Sequence, residues 1–398
     1  MVTRAAQNYL KALAKELRIS ETRYEQAHNR YNSLGDWLNR NESSIKEYDP
    51  VVYAQGSFAL GTVIRPYTDV EEYDVDAVCE LKLLSKRQVT QERLKRLVGA
   101  EIESYRRANN FKKPLEEKRR CWALNYADEA QFHMDIIPAI PNGADVRLLL
   151  ERRRLDASLA DTAIGITDNE ENNYAVPTDD WPRSNPKGYL QWFRTKISVL
   201  LEIKKMELAR SLHASVEEIP DYKIRTPLQS AIMILKRHRD MMFADDETNR
   251  RPISIIITTL AGHSYQGEVH VADALFTILS RMKEFIKWDE QRYIIANPSD
   301  LSENFADKWE EHPERKDAFF GWLEQARADF QAILDEHNHE AITEILSPRI
   351  GQELAKQVEN RSGQKSLLRG ASSVAASTTA TPAFGDTPRV PRKPQGFA

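Results

Sequence analysis

The spacing of apolar positions changes three times along this chain, and the changes divide it into four stretches. In residues 1–45, Leu10, Leu13 and Leu17 recur at helical spacing and no glycine or proline precedes Gly35, which predicts a long N-terminal helix. Residues 46–187 carry strand-like alternation. Phe132, Met134 and Ile136 alternate with His133, Asp135 and Ile137, and residues 120–127 read as a partner strand across a short turn at 128–130. This stretch ends in a loop-rich segment, 165–187, interrupted by Pro177, Pro182 and Pro186. Residues 188–360 return to the helical period as successive helices. Two of them start with clear signals: Thr226 is a good N-cap ahead of Pro227, and Pro252 is read as opening the next helix in the same way. In residues 361–398 Ser, Thr, Ala, Gly and Pro dominate, and such a segment cannot bury enough apolar surface to fold. The expectation is an α+β protein with a mixed-sheet lobe, a helical lobe and a disordered tail.

Composition sets limits on this picture. A chain of 398 residues with 41% apolar positions can fill two cores. No apolar run approaches the ~20 residues that span a membrane, and the N-terminus lacks the apolar stretch of a signal peptide. Cys79 and Cys121 are the only cysteines, so neither a zinc ribbon nor a disulfide framework is expected, and a cytoplasmic location is the default. Charge narrows the partners: 56 basic against 60 acidic residues give a net −4, which argues against a broad nucleic-acid surface. The basic clusters, Lys112-Lys113 with Lys118, Arg119 and Arg120, and Arg152, Arg153 and Arg154, read as solvated helix faces.

The chemistry concentrates near residue 60. Gln55, Gly56 and Ser57 form a small-residue turn ahead of a strand that opens with Asp74 and Asp76. On a strand these two acids project the same way, about 7 Å apart. Backbone N–H groups and a hydroxyl suit phosphate, and paired carboxylates suit a divalent cation, so each part supplies what the other lacks. Two-metal phosphoryl transfer needs a third acid. Asp135, placed in an apolar strand where an unpaired carboxylate would be costly, is the candidate.

The Gly-Ser turn, the Asp-x-Asp pair and a distant single Asp resemble the signature of the polymerase β-type nucleotidyltransferase superfamily. More narrowly, the chain resembles the bacterial relatives of cyclic GMP–AMP synthase and oligoadenylate synthase, the oligonucleotide cyclases (CD-NTases) of anti-phage defence. The narrower match rests on residues 181–193, 226–238 and 251–260, within a similarity that covers roughly residues 46–310. The resemblance implies a polymerase β-like catalytic lobe joined to a helical lobe of the oligoadenylate synthase type. It implies that Asp74, Asp76 and Asp135 hold two Mg²⁺ or Mn²⁺ ions and that Gln55, Gly56 and Ser57 cradle a donor triphosphate, ATP or GTP. Lys236, which follows Gln229 and Met233 at i, i+4 and i+7 on a helix face distinct from Leu228, Ile232 and Leu235, and Ser254, in the first turn of its helix, would then touch phosphate. A cyclic di- or trinucleotide second messenger, read by a separate effector, would be the product.

The resemblance also implies a role for the tail. Its accessible end, Ala398, is the expected target of a ubiquitin-activating-like (E1/E2) protein that joins it to an amine. Two other readings stand beside the cyclase: a template-independent nucleotidyltransferase acting on RNA or protein, and a catalytically silent nucleotide-binding module. Tyr53, Tyr67, Tyr174 and His263 are candidates for stacking on a base.

Overall fold

The computed structural model describes residues 2–67, 73–126, 132–212 and 215–362. The N-terminal stretch is helical, in two parts: α1 (Arg4–Glu16) and α2 (Glu21–Leu38). The break follows from competing caps. Thr3 accepts from the Ala6 N–H to start α1, and Ser20 accepts from the Arg23 N–H to restart the chain as α2. The two helices serve different cores. Tyr9, Leu10 and Leu13 of α1 are fully buried in the helical lobe, whereas Leu34 and Leu38 of α2 are buried against the sheet.

The mixed-sheet lobe follows in the order β1 (Pro50–Ala54), α3 (Gly56–Ala59), β2 (Tyr73–Leu81), α4 (Gln91–Ala108), β3 (Glu116–Glu117), β4 (Trp122–Asn125), β5 (Phe132–Pro141), α5 (Gly143–Arg152), β6 (Ile164–Ile166) and β7 (Arg183–Ser184). The sheet order is β1-β2-β5-β4-β3, with β6 pairing the far end of β5 and β7 pairing β6. Its central pair, β2 and β5, is parallel, and the other pairings in the sheet are antiparallel. On one face Val75, Ala77, Met134 and Ile136 are buried under Leu94, Val98 and Ile102 of α4. The opposite face carries the acids.

The helical lobe comprises α6 (Pro186–Leu212), α7 (Pro227–Met242), α8 (Ser254–Ser264), α9 (Val271–Arg281), α10 (Lys308–Glu311), α11 (Pro313–Gln331), α12 (His339–Ile350) and a last helix, α13, residues 352–362. Its centre is α7, buried on all sides from Pro227 to Arg239. Thr226 caps it in a reciprocal box with Gln229, as the Thr-Pro signal predicts. The helix α8 differs from expectation by a residue or two: Ile253 stands at the N-cap and Pro252 lies outside.

A polar seam joins the lobes. Three side chains of α7 donate to backbone carbonyls of the segment that follows α3: Gln229 Nε2 to Leu60 (2.9 Å), Lys236 Nζ to Thr62 (3.1 Å) and Arg237 Nη2 to Arg65 (2.5 Å). The Arg65 N–H in turn donates to the Leu17 carbonyl at 2.8 Å, at the end of α1. Extended backbone that would otherwise have unpaired carbonyls is thus held against the helical lobe. No helix among the described residues is long and apolar enough to cross a membrane.

Candidate active site

Strand alternation places Asp74 and Asp76 on one face of β2, and the parallel register brings β5 alongside so that Asp76 lies opposite Asp135 and Asp74 opposite His133. Three carboxylates and one imidazole therefore share a single face of two adjacent strands. The turn before β2 is fitted to this face. The Gln55 N–H donates to the Asp76 carbonyl at 2.8 Å, extending the β1–β2 ladder by one bond. Gly56 then turns away with φ +59°, and a Cβ there would lie 2.5 Å from Asp76 Oδ2. Glycine is needed both for the left-handed backbone and for the approach of the acid.

The electrostatics of the three acids differ. Burial, then repulsion from Asp74 and Asp135, pushes the Asp76 carboxyl up to about 6. Asp74, two-thirds exposed, is held below its ordinary value by a hydrogen bond from His133 Nε2 at 2.9 Å. The same bond raises the imidazole. Asp135 accepts from Lys118 Nζ at 3.0 Å on both oxygens. Burial disfavours the Lys118 ammonium, but the Asp135 carboxylate outweighs it and raises the lysine.

Lys118, Arg119 and Arg120 are solvated, each about half exposed, but do not lie on a helix. They form the turn between β3 and β4, and each is engaged. Arg119 and Arg120 both pair with Asp168, which is fully buried, at 2.8 Å. The fully buried Lys95 of α4 donates to the Lys118 and Arg119 carbonyls. Helical periodicity does not apply to a four-residue turn, and the buried partners lie about 25 to 50 positions away in sequence.

A cavity of about 610 Å³ opens between the lobes beside this face. Gly56, Ser57, Asp74 and Asp76 form one wall, and Lys236, Arg239 and Ser254 belong to the other. Lys236 is almost fully buried, and desolvation, then the Arg239 charge, lowers its ammonium to about 8. Ser254 does not cap its helix: its hydroxyl accepts from Arg239 Nη1 at 2.8 Å. Gln55 contributes through its backbone, and its side chain is not part of the cavity wall. Asp135 stands beside Asp76, behind the lining. Of the four candidate stacking residues only Tyr67 lines the cavity. Tyr53 packs beneath Lys187 and His263 stacks on Phe285, while burial holds the Tyr174 hydroxyl up at about 12. Cys79 and Cys121 are buried free thiols, each pushed up to about 12, chiefly by burial, and are unreactive at neutral pH.

Residues 50–138, which supply β1, β2, β5 and all three acids, match the model of the cyclic GMP-AMP synthase DncV-like nucleotidyltransferase domain. These residues form a DncV-like nucleotidyltransferase domain, and the chain as a whole is similar to cyclic dinucleotide synthases. The chain is 29% identical to a c-di-GMP synthase of Roseivirga ehrenbergii over 91% of its own length and 88% of the relative's. It is 24% identical to the cyclic dinucleotide synthase CdnG of Bradyrhizobium diazoefficiens over 76% of its own length and 70% of the relative's. The fold superposes on the solved structure of that CdnG in complex with GTP with a TM-score of 0.65 at 20% identity, covering 89% of this chain and 98% of the other. A 3′-deoxy GTP-bound DncV of Escherichia coli matches with a TM-score of 0.54 at 14% identity, over 86% and 94% of the two chains.

The donor set fits divalent cations. Three carboxylates on one face are hard oxygen donors, and Asp76, pushed toward the protonated form by burial and then by its neighbours, is a group that a cation would return to full charge. Among the described residues no three or more His, Cys, Asp or Glu side chains converge into a finished cage. Lys118 and His133 hold two of the acids instead. His133 was legible from the same alternation that marks Asp135. Lys118 was not, because its place depends on a turn.

Proposed function

We propose that this chain is a CD-NTase, a cyclic oligonucleotide synthase that joins nucleoside triphosphates, in the first instance two, into a cyclic second messenger of anti-phage defence. The observation that carries the proposal is the register of β2 and β5, which sets Asp74, Asp76 and Asp135 on one face beside a cavity also walled by Gly56, Ser57 and Lys236. In each of two rounds a ribose hydroxyl oxygen bonds to an α-phosphorus, the bond to the β-phosphate breaks, and the hydroxyl proton and pyrophosphate leave. Gly56 and Ser57 bind the donor phosphates, Lys236 offsets the charge that develops on them, and the cavity has the volume of a nucleotide-sized ligand site. Asp74 and Asp76 would hold two divalent ions, Mg²⁺ or Mn²⁺, with Asp135 joining the one at the attacking hydroxyl; their chemistry is to neutralise phosphate and acidify that hydroxyl.

Guanosine triphosphate is the first substrate to test, because one relative is a c-di-GMP synthase by name and another was solved with GTP. The test is mass spectrometry of products from each nucleoside triphosphate, singly and mixed, with Mg²⁺ or Mn²⁺. A phosphatase-resistant cyclic dinucleotide is the expected product. A linear, phosphatase-sensitive product would overturn cyclisation in favour of a tailing transferase. A protein that binds nucleotide but releases no pyrophosphate would overturn catalysis altogether.

Two partners belong to the proposal: an effector that reads the cyclic product, and a ubiquitin-activating-like (E1/E2) protein that conjugates Ala398. The latter position lies outside the described residues.

Lys236 gives a prediction in which stability and activity part company. Its folded-state pKa of about 8 lies below the ordinary lysine value of 10.5. The charged form therefore costs stability, by about 3 kcal/mol in full below pH 8, and the cost fades as pH rises toward the ordinary value. Lys236→Met is expected to keep or raise the melting temperature at pH 7 while raising the KM for triphosphate at least about tenfold. Scanning fluorimetry beside steady-state kinetics reads both. A variant that loses stability and activity together would make Lys236 a structural lysine of the seam.

A further inference from the structure

The turn between β3 and β4 is fixed more firmly than a surface turn requires. Lys95 is fully buried, and its ammonium donates to the Lys118 and Arg119 carbonyls and pairs with Glu117 at 3.2 Å. On the other side, buried Asp168 accepts from Arg119 and Arg120, and its own N–H donates to Gln91 Oε1 at 2.9 Å. Burying a lysine and an aspartate is costly unless each is paired, and here the pairing serves four consecutive residues of one turn. The side chain so presented is that of Lys118, with its ammonium 3.0 Å from both oxygens of Asp135.

That contact has a direction. Asp135 lies opposite Asp76 in the register, and Asp74 is two positions earlier on the same face of β2, so three carboxylates would face one another uncompensated. Asp74 has His133. Asp135, only a fifth exposed, has the ammonium of Lys118, which is itself two-fifths exposed. A monovalent cation on a tether therefore sits on the oxygens that a divalent ion would need.

We propose that Lys118 is a built-in counter-ion that competes with the divalent cation for Asp135, so that the metal must displace the lysine. This rests on the reading of Asp135 as a metal ligand, though not on which product is made. Removing a charge in bidentate contact with a mostly buried carboxylate changes that carboxylate's affinity for a competing cation by about tenfold or more.

The test measures Mn²⁺ binding to the full chain without nucleotide, by electron paramagnetic resonance of free Mn²⁺ and by calorimetry, for the wild type, Lys118→Ala and Lys118→Met. Both variants are expected to bind Mn²⁺ about tenfold more tightly than the wild type. Thermal unfolding separates this from a folding defect. Without metal the variants should melt below the wild type, because Asp135 loses its partner, and saturating Mn²⁺ should bring them back to it. Unchanged affinity would make Lys118 a bystander, and weaker affinity would make it a support of the metal site, so either result overturns the proposal. Asp135→Asn in the same assay keeps the two readings apart. If that variant binds Mn²⁺ as tightly as the wild type, Asp135 is no ligand and the metal assignment itself falls.

Discussion

Asp76→Asn is expected to lower kcat by about a thousandfold or more, with the protein no less stable than the wild type at neutral pH. Asp76 is the middle acid of the face, next to Asp74 along β2 and opposite Asp135 across the register. An amide there removes one negative donor from whatever cation the face holds and leaves the other two carboxylates further apart in function than in space. Stability moves the other way. The folded-state pKa of about 6 lies above the ordinary aspartate value of 3.8, so the ionised acid costs stability at pH 7. That cost, about 2 kcal/mol after allowing for partial solvent access, is full above pH 6 and disappears as pH falls below the ordinary value. An isosteric neutral amide escapes it. The measurement is pyrophosphate release alongside urea denaturation at pH 5 and pH 7, with the stability gain of the variant expected to shrink at the lower pH. A variant that unfolds more easily at pH 7 would show that Asp76 holds the lobe together rather than serving chemistry.

The acids were readable because period-2 alternation is a local property. Asp74 with Asp76, and Asp135 between Met134 and Ile136, follow from the pleat alone, and the pleat also decides that their neighbours enter the core. The cap of α7 was equally local, since Thr226, Pro227 and Gln229 lie within one turn. What failed to show in the sequence depends on distant contacts. Leu228, Ile232 and Leu235 of α7 enter the core and Gln229 and Lys236 reach the lobe interface, as their spacing indicates; what the period does not show is that the helix is buried all round, with Arg237 also bonded to the Arg65 carbonyl. The division of the N-terminal helix at Ser20 is a cap signal that was present but weaker than the leucine period around it. The Lys118 turn is the clearest case. A run of three basic residues looks like a solvated helix face until Lys95 and Asp168 arrive from elsewhere in the chain. Pattern reports faces of elements, while the partners of a turn are fixed only by the folded lobe.

Gly56→Ala is expected to lower kcat by about a hundredfold at the cost of only a few degrees in melting temperature. Two effects act at this position. The φ of +59° is strained for any residue with a Cβ, by about 1 kcal/mol. The added methyl would also stand 2.5 Å from Asp76 Oδ2, closer than such atoms approach, so the carboxylate must rotate or the turn must shift. The neighbouring glycine separates these contributions. Gly61 has nearly the same backbone, φ +65°, and a Cβ there would lie 2.6 Å from Gln229 Nε2, the far end of a flexible side chain that bonds the lobe seam. Gly61→Ala should therefore lose comparable stability and keep most of its activity. If both alanine variants lose activity in proportion to stability, the Gly-Ser turn acts only as a scaffold. If the loss is confined to Gly56→Ala, and Mn²⁺ affinity falls with it, then the absence of a side chain at this one position is what lets the phosphate-binding turn and the carboxylate occupy adjoining space.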